Sequence, residues 1–221
     1  MNRAGVGQGA GDPDADEAAL QQALDAMASA GVALACRAIR AGDEAALLPA
    51  EAVSIASTRP DRRRASGAAR LAARDLLRAR GIGACAIPRA PSGEPIWPEG
   101  WTGSLAHDRI WAVAALGRVG EVGSLGIDVE PAEPLPDDIL ALVVRPDDRL
   151  PAPGSPLDAR LVFSAKEAVY KATFPLHRRI LDYDDIAIDL PRGFATTRTG
   201  HAARLFHTST PCIVTLAVVE P

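Results

Sequence analysis

The chain's only two lysines, Lys166 and Lys171, stand five residues apart in Phe163-Ser-Ala-Lys-Glu-Ala-Val-Tyr-Lys-Ala172, although arginine supplies the other 22 of its 24 basic residues. Lysine offers a compact point charge on a flexible stem, suited to a phosphate contact or a proton transfer, where arginine presents a rigid fork of donors. On a helix Glu167 and Lys171 are i and i+4 and share one face, with apolar residues around them. Upstream, Ser124-Leu-Gly-Ile-Asp-Val-Glu130 alternates so that Asp128 and Glu130 occupy one face of a strand and Ile127 and Val129 the other. Two like charges on one face repel unless a cation or a basic group stands between them. An all-oxygen set with Glu167 as a third member suits a hard ion such as Mg²⁺ better than zinc. A third segment, Gly93-Glu-Pro-Ile-Trp-Pro-Glu-Gly-Trp-Thr-Gly-Ser-Leu-Ala-His107, delivers one histidine to the start of the apolar strand Ile110–Leu116. There it could donate to a phosphate or satisfy a carbonyl. Each segment taken singly also has an ordinary structural reading: a solvated Glu–Lys pair, a solvent-facing edge strand, a satisfied histidine.

Taken together, in this order and spacing, the segments resemble the 4′-phosphopantetheinyl transferase superfamily, in particular its siderophore-synthase-activating, enterobactin synthetase component D-like branch. The similarity runs from about Arg62 to about Tyr183, and Phe174-Pro-Leu-His-Arg-Arg-Ile-Leu-Asp-Tyr183 is most like the actinobacterial type. The resemblance implies transfer of 4′-phosphopantetheine from coenzyme A to a serine of an apo acyl carrier or peptidyl carrier domain, with release of adenosine 3′,5′-bisphosphate. The carriers would serve siderophore, nonribosomal peptide, polyketide or fatty-acid synthesis. A cytoplasmic monomer is expected, the unpaired cysteine usage favouring a reducing compartment, and the resemblance also implies Mg²⁺, or Mn²⁺ in its place, held by Asp128, Glu130 and Glu167, with Glu167 and Lys171 as catalytic groups. Coenzyme A would meet Arg62, Arg70, Arg89, Ala90, Pro91, Ser92, Ala106, His107, Asp128, Glu167, Lys171 and Leu181. This chain departs from the family pattern in carrying Arg89 and Ser92 where relatives have lysines. At Ala106, where they have serine or threonine, it offers only its backbone.

The elements that must position these groups follow from periodicity. Residues 1–17, rich in Gly, Ala and Asp, read as a flexible tail; 18–123 as an N-terminal lobe on the 3′-phosphate and adenine side; 124–221 as a C-terminal lobe with the metal and the catalytic helix. Asp16–Cys36 patterns as an amphipathic helix and Ala45–Ser57 as a mixed segment. Ala65–Arg80 patterns as a long helix with Ala69, Ala72, Ala73 and Leu76 inward, a stripe of Arg70, Arg74 and Arg78 beside them, and Arg62 before its start. The second lobe adds the strand from Ser124, a short helix near Asp137–Val143, a helix over Leu157–Thr173, and strands over Asp184–Leu190 and Cys212–Val219. Helix-then-strands in both halves indicates an α+β protein, and the family's fold implies two pseudo-symmetric lobes, each a small mostly antiparallel sheet with a long helix, and the active site between them. A formal charge of −4 with 24% charged residues shows no excess of positive charge for nucleic acid. No stretch is apolar enough to span a membrane. Cys36, Cys85 and Cys212 have neither disulfide-framework nor metal-ligand spacing.

Overall fold

The computed structural model describes residues 13–221; residues 1–12 of the expected tail lie outside the described part. The first helix, α1, starts at Pro13 and ends at Met27, so residues 13–17 of that tail are helical. The expected helix over Asp16–Cys36 is two elements, because Gly31 turns the chain at φ 78° and strand β1 follows over Val32–Ala38. Its period of two sends Val32, Leu34 and Ala38 into the core. A 3₁₀ turn (Asp43–Ala46) and the short helix α2 (Pro49–Ser54) lead to α3 (Pro60–Ala79). Pro60 takes the first helical position, where its missing N–H is no loss. Arg62 therefore lies inside the first turn of α3, not before the helix, and stays exposed.

Strands β2 (Trp101–His107) and β3 (Trp111–Arg118) form an antiparallel hairpin, and β1 pairs with the other edge of β3, giving the order β1-β3-β2. His107 thus closes its own strand instead of opening the next. The second sheet runs β4-β8-β7-β6-β5, all antiparallel: β4 (Ser124–Glu130), β5 (Ile186–Asp189), β6 (Phe194–Thr197), β7 (Ala202–Thr208) and β8 (Ile213–Val219). Helices α4 (Asp137–Val143) and α5 (Asp158–His177) and a 3₁₀ turn at Tyr183–Asp185 complete it.

Alternation along β3 and β8 stacks the molecule in four layers. On β3, Ala112, Ala114 and Leu116 face α3, while Trp111, Val113 and Ala115 enter a central core. On β8, Ile213, Ala217 and Val219 face α5, while Val214, Leu216 and Val218 enter the same central core. Helix α3, the first sheet, the second sheet and α5 thus succeed one another, and each sheet is apolar on both faces because both are covered. The chain is a mixed helix-and-sheet protein with two antiparallel sheets, each backed by one long helix. Among the described residues, no helix is long and apolar enough to cross a membrane.

Candidate active site

The site begins where β4 crosses α5. A Cβ on Gly126 would stand 1.8 Å from the carbonyl oxygen of Ala168 and 2.6 Å from the nitrogen of Ala172, so only glycine lets strand backbone rest on helix backbone here. That approach brings the helix-facing side of β4 onto the Glu167–Lys171 face. Lys171 Nζ donates to Asp128 Oδ1 at 2.7 Å and to the Ile127 carbonyl at 3.2 Å. Asp128 is buried, and its other oxygen, Oδ2, is buried without a partner among the described residues. Glu130, two residues on, accepts from Arg160 Nη1 at 2.9 Å, and Arg160 is held in turn by the Glu133 and Pro134 carbonyls at 3.2 Å.

Electrostatics show the crowding. Burial raises the Glu167 carboxyl above its ordinary value, and the charge of Asp128 adds to this; Lys171 and a hydrogen bond from Tyr183 oppose it. Burial also raises Glu130, with Asp128 again contributing and Arg160 opposing. Tyr183 titrates higher than usual through burial and then through the charges of Glu167, Asp128 and Glu130, so one phenol senses the whole set. Among the described residues no three His, Cys, Asp or Glu side chains stand together as a ready metal-binding group, since Asp128 is turned to Lys171 and Glu130 to Arg160. The donors nevertheless fit a hard cation: they are all oxygens, mutually repelling, and one buried carboxylate oxygen is unsatisfied.

The two lysines part company. Lys166, 1% exposed, points to the opposite side of α5, where its Nζ meets Asp148 Oδ2 at 2.8 Å and the Tyr183 carbonyl at 2.9 Å. Asp148 also accepts from the backbone of Arg145 at 2.8 Å and of Ile188 at 2.9 Å. Lys166 is a strut between the loop before α5 and the turn at Tyr183. Of the two lysines, it is Lys171 that reaches the β4 carboxylate Asp128.

In the N-terminal half, a cavity of about 430 Å³ is lined by Arg62, Arg70, Arg89 and His107 together with Ser57 and Ser66. Alternation on β2 puts Leu105 and His107 on the cavity side and Ala106 into the central core, so Ala106 presents only backbone. His107, exposed at the end of its strand, titrates below its ordinary value through local desolvation and then through the charges of Lys171 and Arg62. Arg70 is more constrained than its sequence position suggests: Nε donates to the Ile87 carbonyl at 2.8 Å and Nη1 to that of Ser66 at 3.2 Å, and burial lowers its pKa. Arg74, assigned to the same basic stripe, faces inward onto Glu51 at 2.8 Å and 3.0 Å, while Arg78 stays exposed.

A second cavity, about 500 Å³, opens between the halves, with Arg89, Ser92 and Trp97 on one side and Tyr170, Lys171 and Arg178 on the other. Ala90 and Pro91 form the turn between Arg89 and Ser92, closed by Gly93 N–H donating to the Ala90 carbonyl at 2.9 Å. Leu181 lines a third cavity, about 320 Å³, with Glu167, Tyr170 and Tyr183. Sequence reasoning missed Tyr183 as a site residue, Arg160 as the partner of Glu130 and Arg178 at the cleft. Arg160 and Arg178 are two of 22 arginines, and like Tyr183 they matter at the site only because another element folds against them.

Residues 44–117 match the family model described as 4′-phosphopantetheinyl transferase N-terminal domain, and residues 124–215 match that of the 4′-phosphopantetheinyl transferase superfamily. The chain is 38% identical over 160 residues to 4′-phosphopantetheinyl transferase Svp of Streptomyces mobaraensis, covering 69% of this chain and 65% of that one. It is 38% identical over 161 residues to 4′-phosphopantetheinyl transferase PptT of Mycobacterium tuberculosis, covering 71% and 69%. To enterobactin synthase component D of Salmonella typhimurium it is 33% identical over 112 residues, covering 48% and 45%. The aligned segment thus spans about two thirds of the length of the actinobacterial relatives.

Proposed function

The chain belongs to the 4′-phosphopantetheinyl transferase superfamily, and from that premise we propose that it transfers the 4′-phosphopantetheine of coenzyme A to a serine hydroxyl of an apo acyl carrier or peptidyl carrier domain. The product would be the holo-carrier for siderophore, nonribosomal peptide, polyketide or fatty-acid synthesis. The observation that carries this reading is the meeting of Lys171 with a half-satisfied Asp128 beside Glu130 and Glu167, next to a cavity lined by Arg62, Arg70, Arg89 and His107. A hydrolase would need the carboxylates but not the basic cavity; a binding module would need the cavity but be weakened by acids beside a diphosphate.

The parts divide the work. Arginine forks suit phosphate oxygens, so Arg62, Arg89 and the remaining donor capacity of Arg70 would grip the 3′-phosphate and adenine end. His107, on the same cavity wall, would contribute a hydrogen bond to that end of the ligand. Asp128, Glu130 and Glu167 would hold Mg²⁺ or Mn²⁺, which when bound neutralises charge on the diphosphate. Lys171, released in part from Asp128, would place its ammonium against the same oxygens and stabilise charge as it develops. The serine oxygen attacks the β-phosphorus, the bond from that phosphorus to the bridging oxygen breaks, and adenosine 3′,5′-bisphosphate departs with the electron pair. The serine proton passes to Glu167 or to water held beside it. Leu181 and Tyr183 flank Glu167 in the third cavity and would guide the pantetheine arm.

The test is to incubate the protein with coenzyme A, Mg²⁺ and a panel of apo carrier domains and weigh the carriers intact. A gain of one phosphopantetheine on at least one carrier, abolished by excess chelator and restored by Mg²⁺ or Mn²⁺, is expected. No gain on any carrier would overturn the assignment, and full activity in chelator would overturn the role of the three carboxylates.

A further inference from the structure

Between the two halves the cleft has a wall that, among the described residues, is tied across by a single side chain. The turn over residues 89–95 is built by its own bonds: Ala90 N–H to the Glu94 carbonyl at 2.8 Å, Gly93 N–H to the Ala90 carbonyl at 2.9 Å, and Arg89 Nε to the Gly93 carbonyl at 3.0 Å. Arg89 N–H also donates to Ser54 Oγ at 2.9 Å. All of these stay within the N-terminal half. From the other half comes Arg178, the cap residue of α5, held at φ 56° with its N–H on the Phe174 carbonyl. Side chains other than glycine, asparagine and aspartate seldom adopt this left-handed conformation. It aims the guanidinium back over the Phe174 ring, 5.8 Å from the centroid, and across the cleft to an ion pair with Glu94 and a 3.4 Å bond to Ser92 Oγ. Glu94 is the sheltered partner, its side chain 15% exposed against 58% for Arg178; Arg178 pairs with its Oε1, and its Oε2 is buried without a hydrogen-bond partner among the described residues. Without Arg178 the Glu94 carboxylate would face a half-buried site uncompensated, and the turn would relax toward water.

We propose that Arg178 is a positioning residue: its bridge to Glu94 and Ser92 holds the 89–95 turn at a set distance from α5, so that Arg89 on the turn, at the 3′-phosphate and adenine end, and Lys171 on the helix, at the diphosphate, can engage one coenzyme A molecule together. The proposal rests on the transferase reading for the identity of the ligand, but the bridge itself does not. Arg89 lines both the basic cavity and the cleft, and Lys171 lines the cleft from the opposite side. Loosening the turn removes pre-organisation from binding while leaving the β4–α5 carboxylates and Lys171 where they are. The loss therefore belongs in affinity, not in turnover at saturation.

Two measurements test this on the full chain. Hydrogen exchange in the ligand-free protein should show the amides of Ala90 and Gly93 exchanging about tenfold faster in Arg178→Ala and in Glu94→Gln, with the β4 and α5 amides unchanged. Calorimetry with coenzyme A should show Kd raised about tenfold in both variants, partial rescue in Arg178→Lys, and the Michaelis constant for coenzyme A rising in parallel while turnover changes less than about threefold. Unchanged exchange at Ala90 and Gly93 would overturn the bridge. Faster exchange with unchanged coenzyme A affinity would overturn its role in positioning the ligand, and so would a loss confined to turnover. A wild-type protein that does not bind coenzyme A would refute the transferase reading, and with it the positioning of coenzyme A, while the exchange measurement judges the bridge by itself.

Discussion

Glu51 in the N-terminal half and Asp128 in the C-terminal half are both buried carboxylates, each facing a basic side chain on the long helix of its own half, and they differ in their oxygens. Glu51, 0% exposed, has both oxygens taken: Arg74 at 2.8 Å and 3.0 Å, and the backbone N–H groups of Ile87 and Leu48 at 2.8 Å each. Asp128, 6% exposed, has one oxygen on Lys171 and the other on nothing among the described residues. A buried charge with every lone pair matched joins elements into one frame; a buried charge left half-matched is costly for the fold alone and makes sense where a ligand completes it. The same contrast separates Lys166, enclosed between Asp148 and the Tyr183 carbonyl, from Lys171, half-buried at the cleft.

The sharpest way to break this contrast is at Asp128. Asp128→Asn should lower turnover on a cognate carrier on the order of ten-thousandfold, while urea unfolding changes by less than about 1 kcal/mol, because the neutral amide relieves the crowded carboxylates. Near-normal turnover would make Asp128 another structural acid. The mirror experiment is at the satisfied pairs: Glu51→Gln and Lys166→Ala should each cost about 3 to 5 kcal/mol in urea unfolding by stranding a buried partner. Turnover measured below the unfolding transition should hold within about threefold for both. A turnover defect without a stability loss would reverse the reading. Lys171→Ala is intermediate, with turnover down tenfold to a thousandfold and a stability loss on the order of 1 kcal/mol, smaller than for Lys166→Ala because Lys171 is only half-buried; Lys171→Arg should restore only part, since the planar fork cannot occupy the same point.

The smallest effect concerns pH. Glu130 and Glu167 titrate above their ordinary values in the folded protein, so they bind protons more readily folded than unfolded. Their contribution favours the folded state at pH below the ordinary glutamate value and is lost as pH rises through the raised one. Above that window the fold carries their repulsion, and Mg²⁺ should relieve it. At ten times its dissociation constant Mg²⁺ should add about 1.4 kcal/mol at neutral pH, read as a melting shift that fades once the carboxyls protonate in acid. A shift that does not fade in acid would place the ion elsewhere.

Much of this was legible in the chain. Asp128 and Glu130 alternate on one strand face, Glu167 and Lys171 share one helix face, and α4 falls on Asp137–Val143 as its pattern predicts. These are local spacings, set by backbone periods that any solvent or core leaves intact. The errors came where periodicity is ambiguous or weak. The alanine-rich run through Cys36 suits helix or strand until Gly31 turns it. Strands β6 and β7 alternate one buried residue with one exposed, and carry too few large apolar residues to announce themselves.

The amino-acid order by itself determined which chemistry is possible here, since the acids, the histidine and the cleft lysine lie in segments whose local geometry follows from residue type and spacing. Only the tertiary structure decided which charges do which work. Lys166 and Lys171 sit on one short helical stretch and look alike until α5 is laid against β4 at Gly126, which turns one to the frame and the other to the cleft. Glu51 finds Arg74, Glu130 finds Arg160 and Glu94 finds Arg178 across gaps of 23, 30 and 84 residues. A charge takes its partner from whatever packing brings within about 4 Å in a region of low dielectric, and no local period encodes that distance.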